Sequence, residues 1–129
     1  MKKIIISNKA PEAIGPYNQA IEANGMIFIS GQIPINRETG EIPEGIEAQT
    51  NQVLKNIGYI LEEAGCTYND VVKTTCLLSD INHFKAMNEV YAKYFNENPP
   101  ARAAFAVKEL PLGVLIEIES IAINNKVNL

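Results

Sequence analysis

Hydrophobic and polar positions along this chain follow two different periods, and the periods predict where strands and helices lie. In six stretches, apolar residues alternate with polar ones or form short runs rich in β-branched residues, which is typical of β-strands. In two other stretches, apolar residues recur every three to four positions, which indicates amphipathic helices. The predicted strands span residues 4–7, 19–23, 26–30, 70–78, 102–107 and 114–123, and the predicted helices span 46–64 and 84–95.

The order of these elements, β-β-β-α-β-α-β-β, predicts an α+β fold in which two helices cover one face of a mixed sheet. The Asn24-Gly25 pair between two apolar runs predicts a hairpin of the second and third strands. A second turn, at residues 110–113, predicts that the last two strands return on each other as an antiparallel pair. Strand 114–123 is apolar on both faces, so we expect a closed homo-oligomer that buries the second face.

The charged residues of the last two predicted strands are the first candidates for a functional site. Arg102 is one of two arginines in the chain and lies in an apolar strand, while Glu117 and Glu119 lie in the apolar run that follows. An antiparallel return would bring Arg102 within pairing distance of one of these glutamates. Two interpretations stay open: a structural ion pair, or a guanidinium that binds a small carboxylate beside a glutamate that moves protons.

Uncharged residues at three places are further candidates. Tyr17 follows a loop stiffened by prolines. Ser30 and Gly31 end the third strand, where a glycine can open the backbone to a ligand or simply terminate the strand. Asn88 falls on the apolar face of the second helix, so its amide needs a hydrogen-bond partner in the backbone, in a neighbouring loop or in a bound molecule.

Composition argues against several classes of function. The 129 residues, of which 47% are hydrophobic, predict one domain over residues 1–129, and the net charge of −4 with scattered lysines argues against nucleic-acid binding. Cys66, Cys76 and the lone His83 have no zinc-ligand spacing, and we expect both thiols to be reduced. No apolar run is long enough for a membrane span, and the run at 4–6 is too short for a signal sequence, so we expect a cytoplasmic protein.

Five separated motifs, taken together in this order and spacing, resemble one known family. This chain resembles the reactive-intermediate deaminase family, also called the Rid or YjgF family and often labelled translation inhibitor or endoribonuclease L-PSP. The resemblance implies a chorismate-mutase-like fold and a homotrimer with an inner barrel and three clefts at the subunit interfaces. The motifs are AIGPYNQA at 13–20, ISGQIP at 29–34, NEVYAKYF at 88–95, PPARAAF at 99–105 and IEIESIA at 116–122.

The resemblance also implies an activity and a set of site residues. Members of the family hydrolyse 2-imino acids and their enamine tautomers, which pyridoxal-phosphate dehydratases release, to 2-keto acids and ammonia, without a cofactor or metal. By resemblance, Arg102 binds the substrate carboxylate and Glu117 orients the attacking water. Many members carry a cysteine where this chain has Ala104, and because the reaction needs no covalent nucleophile we expect the deaminase activity to be kept. The substrate-binding residues implied by the resemblance are Tyr17, Ser30, Gly31, Asn88, Arg102 and Ala104.

Two other classes of function remain open from the sequence. One is an RNA-cleaving or translation-inhibiting protein, the label that relatives bear, although the acidic charge and the lack of a basic groove weigh against it. The other is a non-enzymatic module that binds a small carboxylate through Arg102, with Glu117 serving only as its ion pair.

Overall fold

A computed structural model of the chain describes residues 1–125 and contains the eight elements in the predicted order. Their bounds differ from the predicted ones by a few residues at the ends. The elements are β1 (Lys3–Ile5), β2 (Ala20–Ala23), β3 (Met26–Gln32), α1 (Ile46–Glu63), β4 (Val71–Leu78), α2 (Phe84–Tyr94), β5 (Ala101–Ala106) and β6 (Ile116–Ile123).

The six strands form one mixed sheet in the order β1-β2-β3-β6-β4-β5, which confirms the predicted fold class. Only β4 and β5 run parallel, and every other neighbouring pair is antiparallel. The hairpin of β2 and β3 is also confirmed. Asn24 and Gly25 both adopt positive φ, at 52° and 76°, as the tight turn of a two-residue hairpin requires.

The predicted pairing of the last two strands is wrong. The turn itself forms, because the Gly113 amide donates to the Leu110 carbonyl at 3.1 Å, but β4 lies between β5 and β6. Both edges of β6 are taken by β3 and β4, so β5 cannot pair with β6 and pairs with the outer edge of β4 instead. The chain reaches that edge through α2, as a β-α-β crossover that makes β5 parallel to β4.

The sheet has one buried face and one open face. Alternate residues of the central strands pack with both helices into a single core. The residues between them point to the opposite face of the sheet. The open face carries large apolar side chains that stay exposed, including Ile4, Phe28 and Phe105, which are 53%, 43% and 47% accessible. The core side chains include Ile27, Val53, Leu54, Ile57, Cys76, Leu78, Met87, Ile116 and Ile118.

Local signals fix the ends of the helices. Beyond α1, Gly65 adopts a φ of 77° and the Cys66 amide donates to the Leu61 carbonyl at 2.8 Å, which is a Schellman end. Before α2, the Asp80 carboxylate accepts from the Asn82 amide at 2.8 Å and starts a short 3₁₀ turn that leads into the helix. Within residues 1–125, no helix has the length and apolar character needed to cross a bilayer.

Candidate active site

Arg102 points from β5 towards α2 and is held there by an amide and two aromatic rings. Its Nη1 donates to Asn88 Oδ1 at 2.7 Å, and its Cζ lies 4.8 Å from the Tyr91 ring centroid and 5.3 Å from that of Phe84. In residues 1–125, no carboxylate forms an ion pair with it. The predicted contact between Arg102 and a glutamate is therefore wrong, and the remaining guanidinium donors are open to a ligand.

The sequence of α2 explains why these three side chains meet the guanidinium. Phe84, Asn88 and Tyr91 are spaced by four and three residues, which places them on one helix face. The Tyr91 hydroxyl shares a buried 2.7 Å hydrogen bond with Thr74 Oγ1 of β4, and burial raises the pKa of Tyr91. Sequence reasoning missed the Thr74 contact, because it joins two segments that no local pattern links.

Glu117 lies on the open face of β6 and rests against Gly31 of β3. A methyl group at Gly31 would lie 3.0 Å from the Glu117 Cδ and 3.2 Å from its Cγ, and would overlap the carboxylate. The register of β3 and β6 shifts between Ile29 and Gln32, so the glycine sits in an irregular segment of the strand. Burial, and then the nearby Glu119 carboxylate, raise the pKa of Glu117 above its ordinary value, which suits a group that accepts and returns a proton.

Tyr17 and Gly31 line a cavity of about 210 Å³ next to the end of β3. Apolar side chains make up most of its remaining wall, among them Ile14 and Leu112, which are both highly exposed. Ser30, the fourth predicted residue in this region, donates its hydroxyl to the Asn18 carbonyl at 2.6 Å. The hydroxyl therefore holds the chain next to Tyr17 in place.

Gln19 holds the loop that leads to Tyr17, a role that sequence reasoning did not find. Its side chain is 4% accessible, accepts from the Ser7 amide at 2.7 Å and donates to the Pro11 carbonyl at 2.7 Å. Arg37 reinforces the same loop by donating to the Ala10 carbonyl at 3.0 Å. A glutamine at the first position of an apolar strand was the only available signal.

Arg102 and Glu117 lie on opposite faces of the sheet, and each has its own set of neighbours. We call Arg102, Asn88, Tyr91 and Phe84 the Arg102 half-site. We call Glu117 and Gly31, together with Tyr17 of the cavity that Gly31 lines, the Glu117 half-site. Across β4, Arg102 pairs with Thr74 of the buried face, whereas Glu117 pairs with Leu77 of the open face. One chain therefore holds both halves without bringing them together.

Ala104 lies beside the Arg102 half-site and pairs with Cys76 across β4. Both cysteines are buried, and burial raises the pKa of the Cys76 thiol to about 11. The described part of the chain contains no cluster of three or more histidine, cysteine or carboxylate side chains able to bind a metal ion.

The fold and the half-sites define a class of small α+β protein that carries an arginine on one face of its sheet and a carboxylate of raised pKa on the other. Comparison with known proteins then gives the family. The family described as Endoribonuclease L-PSP matches residues 7–124. This chain belongs to that family, the Rid or YjgF family, and the resemblance drawn from the five motifs is confirmed.

Two relatives and one solved structure illustrate the similarity. A RutC family protein of Pyrococcus horikoshii is 58% identical over 123 residues, covering 95% of this chain and 98% of that protein. The 2-iminobutanoate/2-iminopropanoate deaminase of Homo sapiens is 49% identical over 124 residues, covering 95% and 90%. The crystal structure of E. coli TdcF with bound serine superposes with a TM-score of 0.91 at 41% identity, covering 94% of this chain and 98% of that one.

Proposed function

We propose that this protein hydrolyses 2-imino acids, such as 2-iminobutanoate and 2-iminopropanoate, and their enamine tautomers to 2-keto acids and ammonia. The observation that carries the proposal is the Arg102 guanidinium, whose plane is fixed by Asn88 and two rings while part of its donor edge stays open. A fixed guanidinium can bind a carboxylate through two parallel hydrogen bonds, which also orients the adjacent C2 atom. Relatives about half identical to this chain bear the name of this activity.

Glu117 supplies the proton transfers in this scheme. Water adds to C2 of the imine while the Glu117 carboxylate accepts a proton from that water. Glu117 returns this proton to the nitrogen, which gives a tetrahedral carbinolamine. The carboxylate then takes the proton of the new hydroxyl group and passes it to the nitrogen as the C2–N bond breaks, so that a 2-keto acid and ammonia leave. Its raised pKa supports this role, because a carboxyl group of higher pKa is the stronger base.

A complete site needs two copies of the chain. The half-sites lie on opposite faces of one sheet, so an Arg102 half-site must meet the Glu117 half-site of a second copy. The exposed apolar side chains of the open face support an assembly that buries them, and we propose the homotrimer with interface clefts. The serine named in the TdcF structure supports an amino-acid-like carboxylate as the ligand.

The test is turnover in a coupled reaction. A pyridoxal-phosphate-dependent threonine dehydratase releases 2-iminobutanoate, and semicarbazide in the same cuvette traps the imine before it hydrolyses unaided. We expect this protein to speed the appearance of 2-ketobutyrate and to lower the amount of trapped imine in proportion to its concentration. An unchanged rate at every concentration of the protein would refute the proposed activity.

A carboxylate-binding regulatory module is the second candidate. One observation favours it: the Arg102 half-site is complete within a single chain and does not need Glu117 to hold an anion. Such a module would bind 2-ketobutyrate with the same affinity after Glu117→Gln and would show no turnover before or after the change. Binding together with turnover that is lost in Glu117→Gln decides for the enzyme.

A further inference from the structure

A closed ring of contacts joins Arg102 to the sheet by way of α2. Arg102 leaves β5 and reaches Asn88 at 2.7 Å and the Tyr91 ring at 4.8 Å. The Tyr91 hydroxyl returns to the sheet at Thr74 Oγ1, 2.7 Å away. Thr74 is the residue of β4 that pairs directly with Arg102 of β5, so the backbone pairing of these two residues closes the ring.

Burial holds the hydroxyl groups of Thr74 and Tyr91 in their hydrogen bond. Thr74 is fully buried and Tyr91 is 7% accessible, so neither hydroxyl can exchange its partner for bulk water without opening the core. Phe84 also contacts the guanidinium, but it is only half-buried and has no polar atom to anchor its ring. Tyr91 is thus the one ring of the two whose position is set by a hydrogen bond.

We propose that Thr74 and Tyr91 act as a pair of positioning residues, which hold the aromatic surface that sets the plane of the Arg102 guanidinium for the substrate carboxylate. The proposal rests on the proposed function and extends it to two residues that touch no substrate. A guanidinium that stacks on a ring takes its tilt from that ring, and a two-point contact with a carboxylate depends on that tilt. Loss of the Thr74 contact frees the Tyr91 ring to shift, and substrate binding weakens.

A double variant of Thr74 and Tyr91 separates an effect on substrate binding from an effect on the stability of the protein. Thr74→Val and Tyr91→Phe each leave the other hydroxyl buried without its partner, so each should lower the Tm, by roughly 3–8 °C. The double variant removes both hydroxyls and should recover most of that loss, because two apolar groups of matching shape can replace a buried polar pair. If the pair positions Arg102, the double variant still shows KM for the imine and Kd for 2-ketobutyrate raised about tenfold.

Two control variants test whether the effect on binding depends on the hydrogen bond between Thr74 and Tyr91. Thr74→Ser keeps the hydroxyl and should restore KM and Kd to within about twofold of the wild type. Tyr68→Phe removes the hydroxyl of a partly buried tyrosine, which donates to the Leu54 carbonyl at 2.7 Å and supports α1. It should lower the Tm without changing KM or Kd.

The outcomes decide the two proposals separately. Normal KM and Kd in the double variant, with wild-type turnover present, would overturn the positioning role and leave the imine hydrolysis standing. If the wild type does not hydrolyse the imine, the proposed activity fails, and the Kd for 2-ketobutyrate alone then decides whether Thr74 and Tyr91 position Arg102. A raised Kd in Tyr68→Phe as well would also overturn the inference, since the effect would follow any loss of stability.

Discussion

A site divided between two copies predicts that two inactive variants restore activity when they assemble together. Arg102→Ala destroys the Arg102 half-site of its own chain and leaves the Glu117 half-site intact, while Glu117→Gln does the reverse. Arg102→Ala loses a charge-assisted contact, which typically costs ~2–5 kcal/mol, and Glu117→Gln loses the group that accepts the proton. Each variant alone should therefore keep roughly 3% of turnover or less. In a mixed assembly, an intact Arg102 from one copy can meet an intact Glu117 from the other.

The expected recovery of activity follows from the number of sites that combine an intact Arg102 of one copy with an intact Glu117 of another. When equal amounts of the two variants assemble at random, half of the arginine positions and half of the glutamate positions are intact, so about a quarter of the sites hold both. The fraction is the same for every ring size. If mixed assemblies are isolated through two different affinity tags, however, about one site in three is complete in a trimer and about one in two is complete in a dimer.

The assay unfolds the two variants together in urea, refolds them as a mixture and measures 2-ketobutyrate formation per chain, with sedimentation to show that assemblies have formed. A second mixture, of wild type with the doubly changed Arg102→Ala/Glu117→Gln chain, is the matched control. A divided site leaves that control with about a quarter of wild-type turnover, whereas a site within one chain leaves it with about a half. No recovery in the first mixture, with half the activity in the second, would refute the division of the site.

Four further outcomes follow from the geometry of the half-sites. Arg102→Lys keeps the charge but loses the planar two-point contact, so kcat/KM for the imine should fall at least roughly 30-fold with the assembly intact by sedimentation; a destabilised variant with normal turnover would return Arg102 to a scaffold role. Gly31→Ala should lower turnover about tenfold or more with little change in Tm, because the added methyl displaces the Glu117 side chain rather than backbone, and normal turnover would contradict that contact. The acid limb of the pH profile of kcat/KM should report the raised pKa of Glu117: activity falls as the pH drops through it, and Glu119→Gln should move the limb to lower pH because it removes a like charge. Ala104→Cys should leave kcat and KM nearly unchanged, since the scheme forms no covalent intermediate, and a large gain in kcat would show that a thiol contributes chemically.

The parts of the fold that were predicted correctly depend on residues that are close together in the sequence. Asn24 and Gly25 predict a hairpin because both adopt positive φ at low cost, and no distant contact is needed to decide the matter. The alternation along β6 likewise places Glu117 and Glu119 on one face and the buried core residues on the other, as the burial of the strand shows. These inferences use only the period of a strand.

Strand pairing could not be predicted in the same way. The turn at 110–113 looked like a hairpin turn, and it does form, but the partner of β6 is decided by which sheet edges are free after β3 and β4 have paired with it. That competition is non-local. The same error placed a glutamate beside Arg102, although the helical spacing of Phe84, Asn88 and Tyr91 already indicated an apolar and amide environment on α2.

Arg102 and Glu117 are not placed where they would best stabilise the isolated chain. Burial disfavours the ionised Glu117 carboxylate and so raises its pKa in the folded protein. At neutral pH the charge therefore costs stability, and Glu117→Gln should raise the Tm even as it removes turnover. Arg102 is fixed by rings and an amide where an ion pair would have stabilised it more simply. A scaffold would gain from a carboxylate beside that guanidinium. A site that must receive a substrate carboxylate there cannot contain one, so the absence of such a partner within residues 1–125 is what the proposed chemistry requires.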